Sequence, residues 1–309
     1  LDYLRATFDL LNTETFSAQL ALGRTHIPIG MFNEGREYPY THTGILLNQT
    51  AYNDYVRFQG VNGDGVRLDL NYYGRFGEIE LNAVAGYPTT DFKSFTLNNP
   101  TGDFFQGDIQ HSQNQVYRLS YRFPSTPLRL SYTKGNLHHS GSLVQGPFRQ
   151  EIIENQFFEI FSFQYDYGKW GLVGEIFENF YDASNNVYVD ATGALVTGMS
   201  LGEQDITARG WYLQLSYRLN SNYEFFVARS ELDPFYDDPY NFKAQVSALA
   251  PTRLKQNEWV LGVERMIGES WLVKSEVHFI DGAFHAHWSD NDLTQLEEDW
   301  SMFLFQVNY

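Results

Sequence analysis

Apolar and polar residues alternate with a period of two in many separate segments of this chain. In one of them, Tyr117, Leu119 and Tyr121 alternate with Arg118 and Arg122. Similar alternation occurs at Leu4, Phe8 and Leu10, at Val66, Leu68 and Leu70, at Ile79, Leu81 and Ala83, at Trp211, Leu213 and Leu215, and at Trp271, Val273 and Val277. Successive side chains of a β-strand point to opposite faces, so each segment is predicted to be a strand with one apolar face. The pattern predicts an all-β chain.

The connections between these segments are alternately short and long. Short turns rich in Gly, Pro, Asn or Ser are predicted at Asn12–Thr15, Tyr73–Gly77, Pro124–Pro127, Gly168–Lys169, Asn220–Asn222 and Ile267–Ser270. Long polar loops are predicted at Arg24–Asn62, Tyr87–Asn114, Lys134–Glu154, Asp182–Asp205, Glu231–Gln256 and Asp281–Asp299. A β-sandwich has no reason to collect every long connection at one end, whereas outer-membrane barrels have short periplasmic turns and long outer loops. We therefore predict a transmembrane antiparallel up-and-down β-barrel.

The aromatic residues, which make up 17% of the chain, support this prediction. Trp170 and Trp211 begin alternating segments and Tyr217 lies near the end of one, where amphipathic rings would meet the bilayer interfaces. The last segment, Ser301–Tyr309, is largely apolar at every second residue and ends on an aromatic residue. It resembles the signal that the barrel-assembly machinery reads in outer-membrane proteins. We therefore predict outer-membrane lipids, lipopolysaccharide and that machinery as partners, and no nucleic acid.

Thirteen strands can be counted in the sequence, as a single domain over residues 1–309. Single-chain bacterial barrels have even strand numbers, so we expect one earlier strand before Leu1 and about 14 strands in all. The number becomes 16 if the loop at 24–62 contains a hairpin.

The segments Leu22–Tyr40 and Ile45–Tyr52 resemble part of the phosphate-selective-porin-like outer-membrane proteins of Gram-negative bacteria. The residues that match in kind are Gly23, Arg24, Pro28, Gly30, Asn33, Glu34 and Arg36. The resemblance implies a porin in which the loop after this strand folds inward and narrows the pore. It implies passive diffusion of small hydrophilic solutes or ions, without an enzymatic step, a metal or another cofactor.

Two sets of residues are candidates for the pore. The constriction candidates lie in or near the loop at 24–62: His26, Asn33, Glu34, Arg36, Glu37 and Arg57. The pore-lining candidates lie on the polar faces of strands: Arg67, Asp69, Glu78, Glu80, Arg118, Arg122, Arg129, Arg218, Lys274 and Glu276. The same faces also carry Arg5, Asp9, Asp166, Glu175, Glu224, Glu258 and Glu264. This acidic surplus predicts a weak preference for cations, while pairing of Arg and Glu across neighbouring strands is an equal alternative.

Two further hypotheses belong to other classes. A barrel hydrolase, either a lipase or a protease, could use the loop residues His285, His287, Asp290 and Asp292. A closed barrel could act as an adhesin or scaffold. The sequence leaves the solute, the ion selectivity and the formation of a homo-oligomer open.

Overall fold

One antiparallel sheet contains every strand in the part of the chain that the structure describes. The structure is a computed structural model, and it describes residues 4–52, 62–88, 106–189, 192–196, 202–239, 243–244, 251–285 and 297–309. The strands are β1 (Leu4–Asn12), β2 (Phe16–His26), β3 (Asn62–Gly74), β4 (Gly77–Pro88), β5 (Gln106–Arg122), β6 (Leu128–Gln145), β7 (Phe148–Tyr167), β8 (Trp170–Val189), β9 (Ala194–Leu195), β10 (Gly202–Asn220), β11 (Tyr223–Asp237), β12 (Gln256–Ile267), β13 (Trp271–Asp281) and β14 (Asp299–Asn308).

The described strands follow one another across the sheet in chain order. Every strand from β1 to β14 pairs with its neighbour in sequence, except that the two-residue β9 pairs only with β8 while β10 also pairs with β8. The predicted all-β up-and-down topology is therefore confirmed, with β9 added to the thirteen strands that were expected. Within the described residues β1 and β14 are the two ends of this order, and a strand before Leu1 stays a prediction.

The tight turns lie where they were predicted, but the long connections are shorter than expected. β6 and β7 continue through the predicted loop Lys134–Glu154 and are joined at Gly146 and Pro147. Likewise β5 begins at Gln106, β8 continues to Val189, and β11 continues to Asp237. Polar residues occupy both faces of these extensions, so the period of two is lost although the backbone ladder continues. The sequence pattern therefore showed only the part of each strand that has an apolar face.

On the side of the tight turns the outer face of the sheet is apolar and carries aromatic pairs. In β14, Phe303, Phe305 and Tyr309 point outward and are largely exposed. The ring centroids of Trp271 and Tyr309 are 4.8 Å apart. Those of Trp170 and Tyr217 are 4.5 Å apart, and both residues adjoin tight turns. An exposed apolar face bordered by aromatic rings is the arrangement found in transmembrane barrels.

The described residues contain no helix that is long and apolar enough to cross a membrane.

The inner face of the sheet carries charged side chains that are almost fully buried. Lys274 is 0% exposed, and the side chains of Arg118 and Glu276 are 3% and 1% exposed. Burial of a charge without a partner is strongly unfavourable. The inner face must therefore be covered by groups that neutralise these charges.

Candidate functional site

The segment from Ile27 to Tyr52, which we call the inner loop, covers this face of the sheet. Its polar atoms contact side chains of β3, β5, β8, β11, β12 and β13. A segment of this length can reach strands that far apart in the sheet order only if the sheet curves around it. The inner loop thus lies inside the curved sheet and is held there at three sites.

The first site joins the inner loop to β3 and β5 through Glu34. The Glu34 carboxylate accepts hydrogen bonds from the guanidinium groups of Arg67 and Arg118, one on each oxygen. Arg67 also donates from Nε to Asp69 at 2.8 Å, and Arg118 donates to the Asn82 Oδ1 at 2.7 Å. Residues of the sheet thus hold both arginines in place independently of the loop. This limits the conformational entropy that the arginine side chains lose when they bind the loop.

Two opposing effects act on the pKa of Glu34. Burial raises the pKa, and the nearby guanidinium groups of Arg118 and Arg67 lower it more strongly. The net pKa lies below the ordinary value, so Glu34 is ionised at neutral pH. Glu34 is therefore a negative charge shared between two arginines.

The second site joins the inner loop to β8 through Glu175. Its Oε1 accepts hydrogen bonds from the Met31 backbone N–H at 2.9 Å, the Tyr52 hydroxyl at 2.8 Å and the Ser162 hydroxyl at 2.6 Å. The Tyr52 hydroxyl in turn accepts a hydrogen bond from the Phe32 N–H at 3.0 Å. One buried carboxylate therefore fixes the beginning and the end of the inner loop together.

Substitution of Tyr52 by phenylalanine tests this second site. It removes one donor to Glu175 and the acceptor of the Phe32 N–H, so we expect the free energy of unfolding to fall by about 1–3 kcal/mol. The matched control is Tyr40→Phe, because the exposed Tyr40 hydroxyl makes only a long contact of 3.4 Å with the Ser270 carbonyl. Equal losses in the two variants, measured by urea unfolding in lipid vesicles, would contradict the role of Tyr52.

The third site joins the middle of the inner loop to β12 and β13. The Lys274 ammonium donates to the His42 and Gly44 carbonyls at 2.8 and 2.7 Å and lies 2.9 Å from Glu264. In the opposite direction, the Gly44 N–H donates to Glu264 at 2.6 Å and the Ile45 N–H donates to Glu276.

A buried histidine extends this third site along β13. His278 lies between Glu276, at 3.0 Å from Nε2, and Glu258, at 2.7 Å from Nδ1. The carboxylate of Glu276 that binds the loop thus also contacts the histidine, through its second oxygen.

Gly44 is required at the third site by its backbone conformation. Its φ of +97° lies outside the regions open to other residues, and a Cβ there would press against the Glu276 carboxylate and lie 3.2 Å from the Phe226 ring. We expect Gly44→Ala to lower the free energy of unfolding by about 1–3 kcal/mol. Gly146→Ala is the control, because Gly146 has φ +57° and nothing within 4 Å of its Cβ position. Chemical unfolding of both variants should show the larger loss at Gly44.

An apolar layer packs between the inner loop and the wall on the side of the long connections. Buried side chains from five strands meet Ile27 of the loop there: Val116, Leu137, Phe158, Ile160, Phe177 and Leu232. Ile29 and Ala51 of the loop pack against the same layer. The loop is therefore held by apolar packing as well as by its three polar sites.

A polar cavity of about 460 Å³ lies between the inner loop and strands β7, β8 and β10 to β12. The order of inward-facing residues along β8 shows where the cavity lies. From the apolar layer to the tight turn these residues are Phe177, Glu175, Val173 and Gly171. Val173, Gly171 and the turn residues Gly168 and Lys169 line the cavity. The cavity thus lies on the tight-turn side of Glu175, and we call it the turn-side cavity.

The constriction candidates have different environments. Asn33 is buried and donates to the Ile27 carbonyl at 2.8 Å, Arg36 donates to the Tyr52 carbonyl at 3.1 Å, and Glu34 binds the wall. His26 ends β2, where its carbonyl accepts a hydrogen bond from Arg67, and Glu37 is exposed. Arg57 lies outside the described residues. The structure therefore brings Asn33, Glu34 and Arg36 together in the inner loop.

The pore-lining candidates all face inward, but they divide into two groups. Arg67, Arg118, Lys274 and Glu276 are buried beneath the inner loop, and Asp69 is close to fully covered. The others are partly or largely exposed near the tight-turn end: Glu78, Glu80, Arg122, Arg129 and Arg218. The buried group holds the loop, while the exposed group faces the space that remains.

Sequence reasoning missed the residues of the loop that complete its attachment. Tyr52 and the backbone N–H groups of Met31, Gly44 and Ile45 were not candidates, because alternation in strands gives no information about a loop. The buried histidine, His278, was not a candidate either, because a polar residue on one face of a strand does not show which groups contact it. The apolar run Ile45, Leu46 and Leu47 was a usable signal, since it needed cover from water.

The residues of the hydrolase hypothesis are mostly outside the described part of the chain. His287, Asp290 and Asp292 are not described, whereas His285 follows β13. Burial, together with the positive charge of Arg253, lowers the pKa of His285 to about 3. Among the described residues no three His, Asp or Glu side chains are grouped closely enough to hold a metal ion.

Several solved outer-membrane proteins have a similar fold. Outer-membrane expressed OmpT of Vibrio cholerae matches with a TM-score of 0.51 and 10% identity, over 96% of this chain and 78% of that one. A trimer form of in-vitro folded OmpT gives 0.50 and 10%, over 99% and 89%. An anion-selective porin from Comamonas acidovorans gives 0.48 and 13%, over 90% and 67%. At these identities the OmpT similarities show the fold alone.

No protein-family model and no curated protein matches the sequence. The resemblance to phosphate-selective porins therefore stays a prediction.

Proposed function

We propose that this protein is an outer-membrane porin through which small hydrophilic solutes or ions diffuse, in a water-filled lumen narrowed by the inner loop. The observation that carries the proposal is the attachment of the inner loop to the inside of the curved sheet through Glu34, Glu175 and Lys274. A segment that is bound to several separate strands on the inner face occupies part of the cross-section of the lumen and so narrows it. The apolar outer face with its aromatic pairs supports placement in a bilayer.

Pairing of charges weakens the expected preference for cations. Each of six basic residues on the inner face lies within ion-pair distance of a carboxylate: Arg67, Arg118, Arg122, Arg129, Arg218 and Lys274. These pairs favour the alternative in which Arg and Glu neutralise each other across the wall. We therefore propose a channel of low selectivity between small cations and anions.

Conductance in a planar bilayer tests the proposal. The purified full chain should give stepwise currents, and in a salt gradient the reversal potential should stay close to zero. If correctly folded protein inserts and gives no current, the porin proposal is wrong. A large reversal potential would leave the porin proposal standing and contradict the low selectivity.

A further inference from the structure

The turn-side cavity has the lining and the volume of a small-molecule binding site. In the described part of the chain its inner end is bounded by the layer of Glu175 and Tyr212, and the apolar layer packs beyond that. Its other end adjoins the tight turn at Gly168 and Lys169. A volume of about 460 Å³ lies within the range of small-molecule sites.

The charges around the cavity neutralise one another. Arg218 and Glu224 are 3.2 Å apart, and Glu264 is paired at 2.9 Å with Lys274, which is buried beneath the inner loop. Asp166 accepts a hydrogen bond from the Gln164 amide at 2.8 Å. His42, which also lines the cavity, has its pKa lowered to about 4 by burial and by Lys274, so it is neutral near pH 7. The Lys169 ammonium donates to the Leu219 carbonyl at 2.7 Å. Three basic residues, Arg218, Lys274 and Lys169, therefore match the three carboxylates in number, so an ionic solute finds no net counter-charge around the cavity.

Uncharged hydrogen-bonding groups remain available in the cavity. The Gln214 amide and the Ser216 hydroxyl line it, on neighbouring inward positions of β10. Neither side chain has a hydrogen-bond partner among the described residues. On the opposite side the loop contributes Asn48 and the exposed ring of Tyr40. Neutral polar groups with an aromatic ring suit a ligand that has many hydroxyl groups and apolar C–H faces.

We propose that the turn-side cavity is a binding site for a neutral mono- or disaccharide, with the Gln214 amide and the Ser216 hydroxyl as hydrogen-bonding groups. This inference rests on the proposed porin function, since it names a class of solute that the lumen would hold. Because the inner loop forms one wall of the cavity, binding depends on the loop being in place. Because the cavity lies toward the tight turns, we expect sugar added on that side of the membrane to reach the binding site more readily than sugar added on the other side.

Binding is measured with lactose as the probe, by isothermal titration calorimetry of the full chain in detergent micelles. We expect saturable binding of lactose and weaker binding of lactobionate, which carries a carboxylate. Gln214→Leu should raise the Kd for lactose about three- to tenfold, and Ser216→Ala should raise it by a smaller factor. The matched control is Gln19→Leu, on the inner face of β2 and hydrogen-bonded there to Asp9.

The outcomes separate this proposal from that of the porin. An unchanged lactose Kd in Gln214→Leu, equal weakening in Gln19→Leu, or tighter binding of lactobionate would overturn the sugar site. Channels that conduct in a bilayer while the protein does not bind lactose would overturn the sugar site alone. Gln214-dependent binding by a protein that does not conduct would support the site and contradict the porin proposal.

Discussion

Replacing Lys274 by methionine is expected to lower the free energy of unfolding by about 3–5 kcal/mol, the range for breaking a buried ion pair. The Lys274 side chain is 0% exposed. Its ammonium pairs with Glu264 and donates hydrogen bonds to two carbonyl groups of the inner loop. Methionine has a similar length but donates nothing. Glu264 would therefore keep a covered charge without its cation, and the His42 and Gly44 carbonyls would lose their donor.

The matched control for this prediction is Lys255→Met. Lys255 also forms ion pairs, 2.9 Å from Asp281 and 3.0 Å from Glu298, but its side chain is 44% exposed. Exposed pairs contribute about 0–1 kcal/mol, so this variant should unfold almost as the parent protein does. Urea unfolding in lipid vesicles compares the two. Similar losses at both positions would show that Lys274 does not hold the loop in the way described.

Replacing Glu34 by glutamine is expected to loosen the first attachment of the inner loop and to enlarge the single-channel conductance. The change removes the charge shared by Arg67 and Arg118, whose side chains are only 8% and 3% exposed. Both arginines keep partners in the wall, so we expect a loss of about 2–4 kcal/mol, slightly less than for Lys274. Glu37→Gln makes the same chemical change at an exposed position of the loop and should leave both quantities nearly unchanged.

The pH dependence of stability gives an independent measure of the Glu34 pair. The pKa of Glu34 in the folded protein lies below its ordinary value of 4.5. The pair therefore stabilises the fold fully above that ordinary value, and the contribution is lost as the pH falls through the lower, folded-state pKa. The difference in unfolding free energy between the parent protein and Glu34→Gln should shrink as the pH falls below 4.5. A difference that stays constant from neutral to acid pH would contradict an ionised Glu34.

The sequence predicts the sheet well because the alternation of residues within each strand shows which of them lie on each face. Alternation at Tyr117 to Arg122 and turn residues such as Gly168 and Lys169 are local signals, and the structure has a strand and a tight turn there. The extensions of β6 and β7 were missed because polar residues on both faces leave no period to detect.

The attachment of the inner loop could be predicted only in part. Glu34 was a candidate through a local resemblance, but its partners Arg67 and Arg118 are 33 and 84 residues further along the chain. Nothing in a single sequence states which of several arginines on inward positions meets one loop carboxylate. The roles of backbone N–H groups, such as those of Met31 and Ile45, depend on the path of the loop and carry no residue signature.

The claim that the inner loop is fixed inside the lumen is tested most directly by a covalent link between the loop and a strand of the sheet. The chain has no cysteine, so Thr43→Cys combined with Glu224→Cys introduces one defined pair, at positions whose side-chain oxygens are 3.3 Å apart. The pair should be joined rapidly by oxidation or by a short bifunctional thiol reagent, and the joined protein should conduct as the reduced one does. Failure of the two cysteines to react, or loss of current once they are joined, would contradict an inner loop that narrows the open pore while attached to its wall.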